Sequence, residues 1–289
     1  MSRSLLIHGD SPISIGGRAV TGFGRVVRMI CETLPDWRIT VVGVNHGAGA
    51  QTTQHRSLPH VRVTDAQDGD DLYGAEKFRR LAASHPWDLL LTVQDAHNAS
   101  AWGPWSPPAP HLFYTPIDGA VGHSDTQALR CAHRVVSATQ WGAQILKDRV
   151  GIHSDVLPHE TDGRVFYPAT EEERAQWKSA LFDAGHNEIA LLAVGVNIAR
   201  KQWGRILEVV RACNSERRTV RLLCHTAPVF KGLSIPRMCS ALNLTGLDVA
   251  FTPEDDRCGS TDAWLRRLYC AADFLISASS KEGWCLPII

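Results

Sequence analysis

The chain lacks an excess of charge of either sign: 30 basic and 30 acidic side chains cancel over 289 residues. No overall positive field is therefore available to hold a nucleic-acid backbone, and nucleic acid is not expected as a partner. Local basic sites leave room for peripheral association with a membrane. No run approaches the roughly 20 apolar residues of a membrane span. The opening MSRSLLIHGD has too few apolar residues for a signal-peptide core, so the cytoplasm is the expected compartment. Eight cysteines are scattered without a CxxC pair, which excludes a zinc ribbon or a dithiol redox motif read from spacing; most should behave as small buried hydrophobes. Thirteen histidines include no HExxH or other short ligand spacing, and no metal is expected. Internal repeats and low-complexity segments are missing as well, although PWSPPAP (104–110) reads as a stiff surface loop.

What the chain does have is 44% hydrophobic residues, enough for two cores, and an alternation of short β-rich runs with helical patterns. That pattern predicts an α/β protein with parallel sheets covered on both faces. Strands are expected at 4–9, 38–44, 61–66, 88–95, 111–116, 134–139 and 154–159. Helices are expected at 24–34, with Val26, Val27, Met29, Ile30 and Leu34 on one face, and at 72–84, with Leu72, Ala75, Phe78, Leu81 and Ala82. The charged stretch after VFYP (165–168) reads as a helix and a change of composition, so a first domain is drawn over 1–168 and a second over 186–289. In the second, strands at 188–196, 220–226, 248–253 and 274–279 alternate with helices at 203–213, 235–243 and 262–272. The run KEGWCLPII, with Leu286, Ile288 and Ile289 uncovered by a closing helix, makes this second doubly wound domain look incomplete.

Three segments carry chemistry. GDSPISIGGRAVTGFGRVVRMI places Gly16, Gly17, Gly22 and Gly24 in a loop that runs into an amphipathic helix. Glycines permit close approach of a ligand, and a helix start offers N–H groups to a phosphate. The spacing is not GxGxxG, so the dinucleotide fingerprint is not met, and the glycines could equally serve to shape the loop. VGVNIARKQWGRIL takes a buried strand through Asn197 into Arg200 and Lys201 and straight into a helix. Two cations at the carboxyl end of a parallel strand suit a diphosphate, though an Arg-Lys pair is more often solvated surface. The third segment is CAADFLISASSKEGWCLPII.

This last run resembles the donor-site signature of the family 4 retaining glycosyltransferases, an aspartate, a short strand, a serine and then EGFGLPxxEA; Asp273, Ser279, Glu282, Gly283, Leu286 and Pro287 match. Other landmarks of that family fall in order. TGFGRVVRMI is similar to the acceptor-domain glycine loop, and AHRVVSATQWGAQIL to the motif written ADRVVAVSxxxxxxL. VLPHETDGRVFYP resembles the interdomain VIPHGVDxxxFxP at Pro158, His159, Asp162, Phe166 and Pro168, and NIARKQ resembles RNxxRKN. The resemblance covers nearly the whole chain.

It implies a GT-B fold, two Rossmann-like domains with the second incomplete, and metal-independent transfer of a sugar with retention. The donor would be a UDP- or GDP-sugar, with no further cofactor, and the acceptor a glycan, lipid or protein. By the same resemblance Arg200 and Lys201, assisted by backbone near Gly22 and Gly24, would hold the diphosphate. Glu282 would act at the donor sugar, with Gly283, Trp284, Cys285 and Leu286 around sugar and nucleotide. His97, in TVQDAHNASAW, and Asp118, in YTPIDGA, are the candidates for the acceptor-side catalytic group. Departures are Glu160 where the family has glycine, Trp284 and Cys285 in place of an aromatic-glycine pair, and a second motif glutamate that would fall at position 290. That last departure also admits an inactive or nucleotide-binding-only remnant. A dinucleotide-dependent oxidoreductase is disfavoured by the missing fingerprint and acidic ribose partner.

Overall fold

Strand β1 (Ser4–Asp10) is buried at every position and forms the axis of the first sheet. Its apolar residues serve both faces by the two-residue period of a strand. Leu5 and Ile7 join Val27, Ile39, Val41 and Val93 on one side, while Leu6 joins Val42, Phe78, Leu90, Phe113 and Leu146 on the other. This is why the run shows no polar alternation. Each such side chain contributes roughly 1.5–3 kcal/mol by leaving water. The computed structural model describes residues 2–13, 20–47, 52–96, 104–119, 121–122, 126–182, 188–217, 219–253 and 261–288.

The remaining strands of this sheet are β2 (Arg38–Val44), β3 (Thr53–His55), β4 (Leu58–Asp65), β5 (Leu89–Val93), β6 (His111–Thr115), β7 (Arg134–Ser137) and β8 (Ser154–Val156). Their order is β3-β4-β2-β1-β5-β6-β7-β8, with Leu5 opposite both Ile39 and Leu89. All pairs are parallel except the short β3, which runs against β4. Helices α1 (Gly22–Thr33), α2 (Ala75–Ser84), α3 (Gln127–Cys131) and α4 (Gln140–Val150) connect them.

One expected boundary is corrected. Helix α2 begins at Ala75, and Leu72 is 63% exposed instead of lying on its apolar face. Gly74 stops the helix there: its φ is +73°, a Cβ would sit 2.7 Å from the Ala66 carbonyl, and its N–H and that of Glu76 donate to the Asp71 carboxylate at 2.8 Å.

The second sheet contains β9 (Ile189–Val194), β10 (Val220–His225), β13 (Val249–Phe251) and β14 (Phe274–Leu275), all parallel, in the order β13-β10-β9-β14. A small hairpin of β11 (Val229–Phe230) and β12 (Leu233–Ser234) follows β10. Its helices are α5 (Glu171–Phe182), α6 (Trp203–Cys213), α7 (Ile235–Ala241) and α8 (Asp262–Ala271). Contacts divide the chain into two compact units, Met1–His159 with Glu282–Trp284, and Glu160–Lys281 with Cys285–Ile289.

Helix α5 belongs to the second unit through Asp273. That carboxylate accepts from Lys178 at 2.6 Å, from Arg174 at 2.5 Å and from the Ala190 amide at 2.8 Å, tying α5 to the starts of β9 and β14. Burial would raise its pKa, but these three donors outweigh that and hold it below the usual carboxylate range. Buried Arg266 fastens the preceding strap: its Nε donates to the Tyr167 carbonyl at 2.9 Å and its guanidinium stacks 3.7 Å from the Tyr167 ring.

Candidate functional site

In each sheet one pair of neighbouring strands marks a reversal of chain order, and there the loops leave in opposite directions and open a crevice at the carboxyl ends. In the second sheet that pair is β9 and β14. Past β9, buried Asn197 donates through Nδ2 to the carbonyls of Ala227, Pro228 and Leu233, each at 3.2 Å, which fixes the loop against the β11–β12 hairpin. A 3-10 turn, Ala199–Lys201, then delivers Arg200 and Lys201, both half-buried, to the start of α6. From the β14 side, the Ser280 N–H donates to the Arg200 carbonyl at 2.8 Å, and the Ser279 and Ser280 hydroxyls reach the same oxygen at 3.3 Å. Arg200 Nη1 in turn donates to the Lys281 carbonyl at 3.0 Å. The two motifs, some 80 residues apart in sequence, are thus locked to each other.

Electrostatically this corner is positive. Gln202, with φ +51°, starts α6 without any side-chain cap, so the positive end of the helix dipole adds to the two cations. A Cβ on Gly204 would meet nothing within 4 Å, so the backbone there is open to approach. The Lys201 side chain lies over Gly195, whose missing Cβ would come 3.4 Å from Lys201 Cε. Asn197, Ser279 and Ser280 hold this geometry, and spacing alone could not assign them that part.

In the first unit the reversal falls between β1 and β5. Asp10 ends β1, and its buried carboxylate accepts from Thr21 Oγ1 and, at 3.3 Å, from Asn45 Nδ2. Burial pushes its pKa up, and the Thr21, Asn45 and Gln94 side chains partly counter that. Thr21 is also the N-cap of α1, accepting from the Gly24 N–H at 3.0 Å, while the Arg25 N–H bonds the Thr21 carbonyl at 2.9 Å. Gly24 therefore serves close packing: a Cβ would lie 2.4 Å from the Ser11 carbonyl. Gly22 is exposed and is the first residue of α1. Gly16, Gly17 and His97 lie outside the described residues. Asp118 is half-buried in the loop after β6. Ser11 and His46 sit 2.9 Å apart, but the Ser11 hydroxyl donates to the Ile13 carbonyl, so this is a satisfied structural network and not a nucleophile with its base.

The segment Glu282–Trp284 packs within the first unit. Glu282 is half-buried, and Gly283 runs so close to Pro116 that a Cβ would lie 2.6 Å from the Pro116 Cβ. Trp284 meets the His159 ring edge-on, with centroids 5.7 Å apart. The other side of His159 is held by Tyr114, whose hydroxyl is 2.9 Å from Nδ1 and donates to the Leu157 carbonyl at 2.7 Å. Burial lowers the His159 pKa to about 4, so the ring is neutral near pH 7. Cys285 has φ +58°, the left-handed conformation that suits the glycine of the resembled motif, and half-buried Leu286 opens a 3-10 turn, Leu286–Ile288. Among the described residues no three His, Cys, Asp or Glu side chains are grouped to hold a metal ion, and no helix is long and apolar enough to cross a membrane.

Two doubly wound α/β units in this order define a GT-B fold, and solved structures bear this out. Sucrose-phosphate synthase from Thermosynechococcus elongatus superposes with a TM-score of 0.75 at 18% identity, over 99% of this chain and 78% of that one. HepE from Anabaena, solved in complex with UDP-glucose, gives 0.66 at 14% identity over 96% and 74%. WaaG, a glycosyltransferase involved in lipopolysaccharide biosynthesis, gives 0.67 at 11% identity over 97% and 76%. No family model and no curated protein matches the sequence. At these identities the likeness is one of fold.

Proposed function

We propose that the chain is a glycosyltransferase of the family 4 type, moving a sugar from a UDP- or GDP-sugar to an acceptor hydroxyl with retention and without a metal. The observation that carries this is the locking of the Arg200–Lys201 turn to Ser279–Lys281 beside the uncapped start of α6. A departing nucleoside diphosphate gains negative charge, and fixed cations with a helix dipole stabilise that charge without reorganising. Arg200 offers a planar fork and Lys201 a point charge, a division suited to two adjacent phosphates. The presence of UDP-glucose in the HepE complex favours a UDP-sugar.

In this reading Glu282 acts at the donor sugar, and Gly283, Trp284, Cys285 and Leu286 surround sugar and nucleotide. Asp118 and His97 are the acceptor-side candidates for catalysis. Gly22 lends backbone donors, while Gly24, whose N–H is engaged by Thr21, contributes by shaping the loop. The acceptor is a glycan, a lipid or a protein.

The test is to incubate the chain with anomerically labelled UDP- and GDP-sugars in the presence of a chelator and to follow the labelled carbon by NMR. Release of nucleoside diphosphate with the α-anomer formed first, before mutarotation, is expected. A β-anomer formed first would refute retention, and activity abolished by the chelator would refute metal independence.

A further inference from the structure

The loop at 104–107 and the end of α3 border a cavity that the donor chemistry does not use. Its volume is about 520 Å³, inside the roughly 300–1,000 Å³ range of sites for small organic molecules, and its lining includes Pro104, Trp105, Pro107, Arg130, Cys131 and His133. These residues come just before β6 and β7, so the cavity lies at the amino ends of those strands. The carboxyl edge of the sheet is the length of β6 away, ~16 Å at about 3.3 Å per residue. The walls are held in place. The Trp105 ring stands edge-on to two fully buried rings, with centroids 5.8 Å from Phe78 and 5.5 Å from His111. Its backbone N–H donates to Cys131 Sγ at 3.4 Å, which ties the loop to α3. Pro104 and Pro107 stiffen the backbone on either side and, with the indole, present flat apolar surface. The α3 side supplies donors. One guanidinium nitrogen of Arg130 donates to the Val150 carbonyl at 2.6 Å, which anchors the head while using one of the five N–H groups that an arginine carries. The Nδ1 of exposed His133 accepts from the His111 N–H at 3.2 Å, so the ring proton sits on Nε2 and is offered as a donor.

We propose that this cavity binds a small organic anion, a flat ring bearing one phosphate or carboxylate group, with the anionic group on Arg130 and His133 Nε2 and the ring against Trp105 and the two prolines. A guanidinium fork matches two oxygens of either group, and hydrogen bonds to an ionised partner are roughly twice as strong as neutral ones. Aromatic and proline surface that is already ordered adds contact area at little cost in conformational freedom. The assignment stands independently of the transferase reading.

The test uses the full chain carrying Arg200→Ala/Lys201→Ala, so that an anion held by those two cations is not mistaken for one held here. Saturation-transfer NMR compares phenyl phosphate, benzoate and phenol at millimolar concentration. At least one of the two anions should bind, with phenol about tenfold weaker or silent, and the tighter anion names the preferred group. Adding Arg130→Gln should weaken that anion about tenfold, the usual loss for a hydrogen bond to a charged group, and His133→Ala should weaken it severalfold. Failure of both anions to bind, phenol bound as tightly as either, or unchanged affinity in a folded Arg130→Gln or His133→Ala chain would overturn the assignment. Should these variants fail to fold, a crystal of the wild-type chain with the bound anion decides. Anionic oxygens at hydrogen-bond distance from Arg130 or His133 support the site, and an anion seated only elsewhere overturns it.

Discussion

Acidification from pH 7 to pH 5 should destabilise the first unit through its buried histidines, His8 and His111 together with His159. His8, on β1, is 1% exposed and its Nε2 lies 2.6 Å from the Tyr73 carbonyl; His111, at the start of β6, is fully buried with Nε2 3.0 Å from Thr92 Oγ1. Burial lowers the pKa of His8 to about 4, partly offset by the Tyr73 hydrogen bond and Asp71, and that of His111 to about 3, with His8 and His133 adding to the effect. Both folded values, like that of His159, lie below the unfolded value of about 6.5, so the unfolded chain binds the extra protons. The contribution is thus complete above about pH 6.5, falls as the pH falls below it, and stops falling only below the folded values. At pH 5 linkage gives a loss of about 2 kcal/mol per histidine, or about 6 kcal/mol for His8, His111 and His159 together, out of a total stability of roughly 5–15 kcal/mol. The paired carboxylates of Asp273 and Asp88 have lowered pKa values, so their losses begin at more acid pH. Urea unfolding followed by circular dichroism at both pH values measures the difference, and His8→Gln should remove about a third of it. Equal midpoints at pH 5 and 7, or a His8→Gln chain with undiminished pH dependence, would refute the reasoning.

Two substitutions test the backbone. Cys285→Gly should stabilise the chain by up to about 1 kcal/mol, since a left-handed non-glycine residue is strained, and a lowered urea midpoint would contradict the φ of +58°. Gly24→Ala should cost more than about 2 kcal/mol, because its Cβ would meet the Ser11 carbonyl at 2.4 Å and the backbone must shift; a melting temperature within a degree of wild type would mean that α1 does not pack as described.

The fold could be read largely from sequence because its strands are buried on both faces. Apolar runs such as Ser4–Asp10 and Arg38–Val44 end at polar residues or turns, and α6 carries an apolar stripe with the expected bounds, Trp203–Cys213. What escaped depended on partners distant in sequence. The antiparallel β3, Thr53–His55, is short and polar, and only its pairing with β4 makes it a strand. β14 was expected to run to residue 279 but ends at Leu275, and the chain beyond it turns so that Ser279 and Ser280 reach the Arg200 carbonyl. Leu72 fits a helical stripe by spacing, but Gly74 ends the helix before reaching it. At the site, Arg200 and Lys201 were visible as a cation pair at a strand end. Their locking to the β14 loop was not, nor was Asp10, whose partners Thr21 and Asn45 lie 11 and 35 residues away.

The central claim is that Arg200 and Lys201 bind a nucleoside diphosphate-sugar. Ligand-observed NMR with UDP-, GDP- and ADP-sugars, on the wild-type chain and on the Arg200→Ala/Lys201→Ala variant, tests it directly. Binding of at least one donor to the wild type, weakened about a hundredfold or more when both charge-assisted contacts are gone, is the predicted result. A donor bound equally well by the variant, or none bound by a folded wild-type chain, would contradict it.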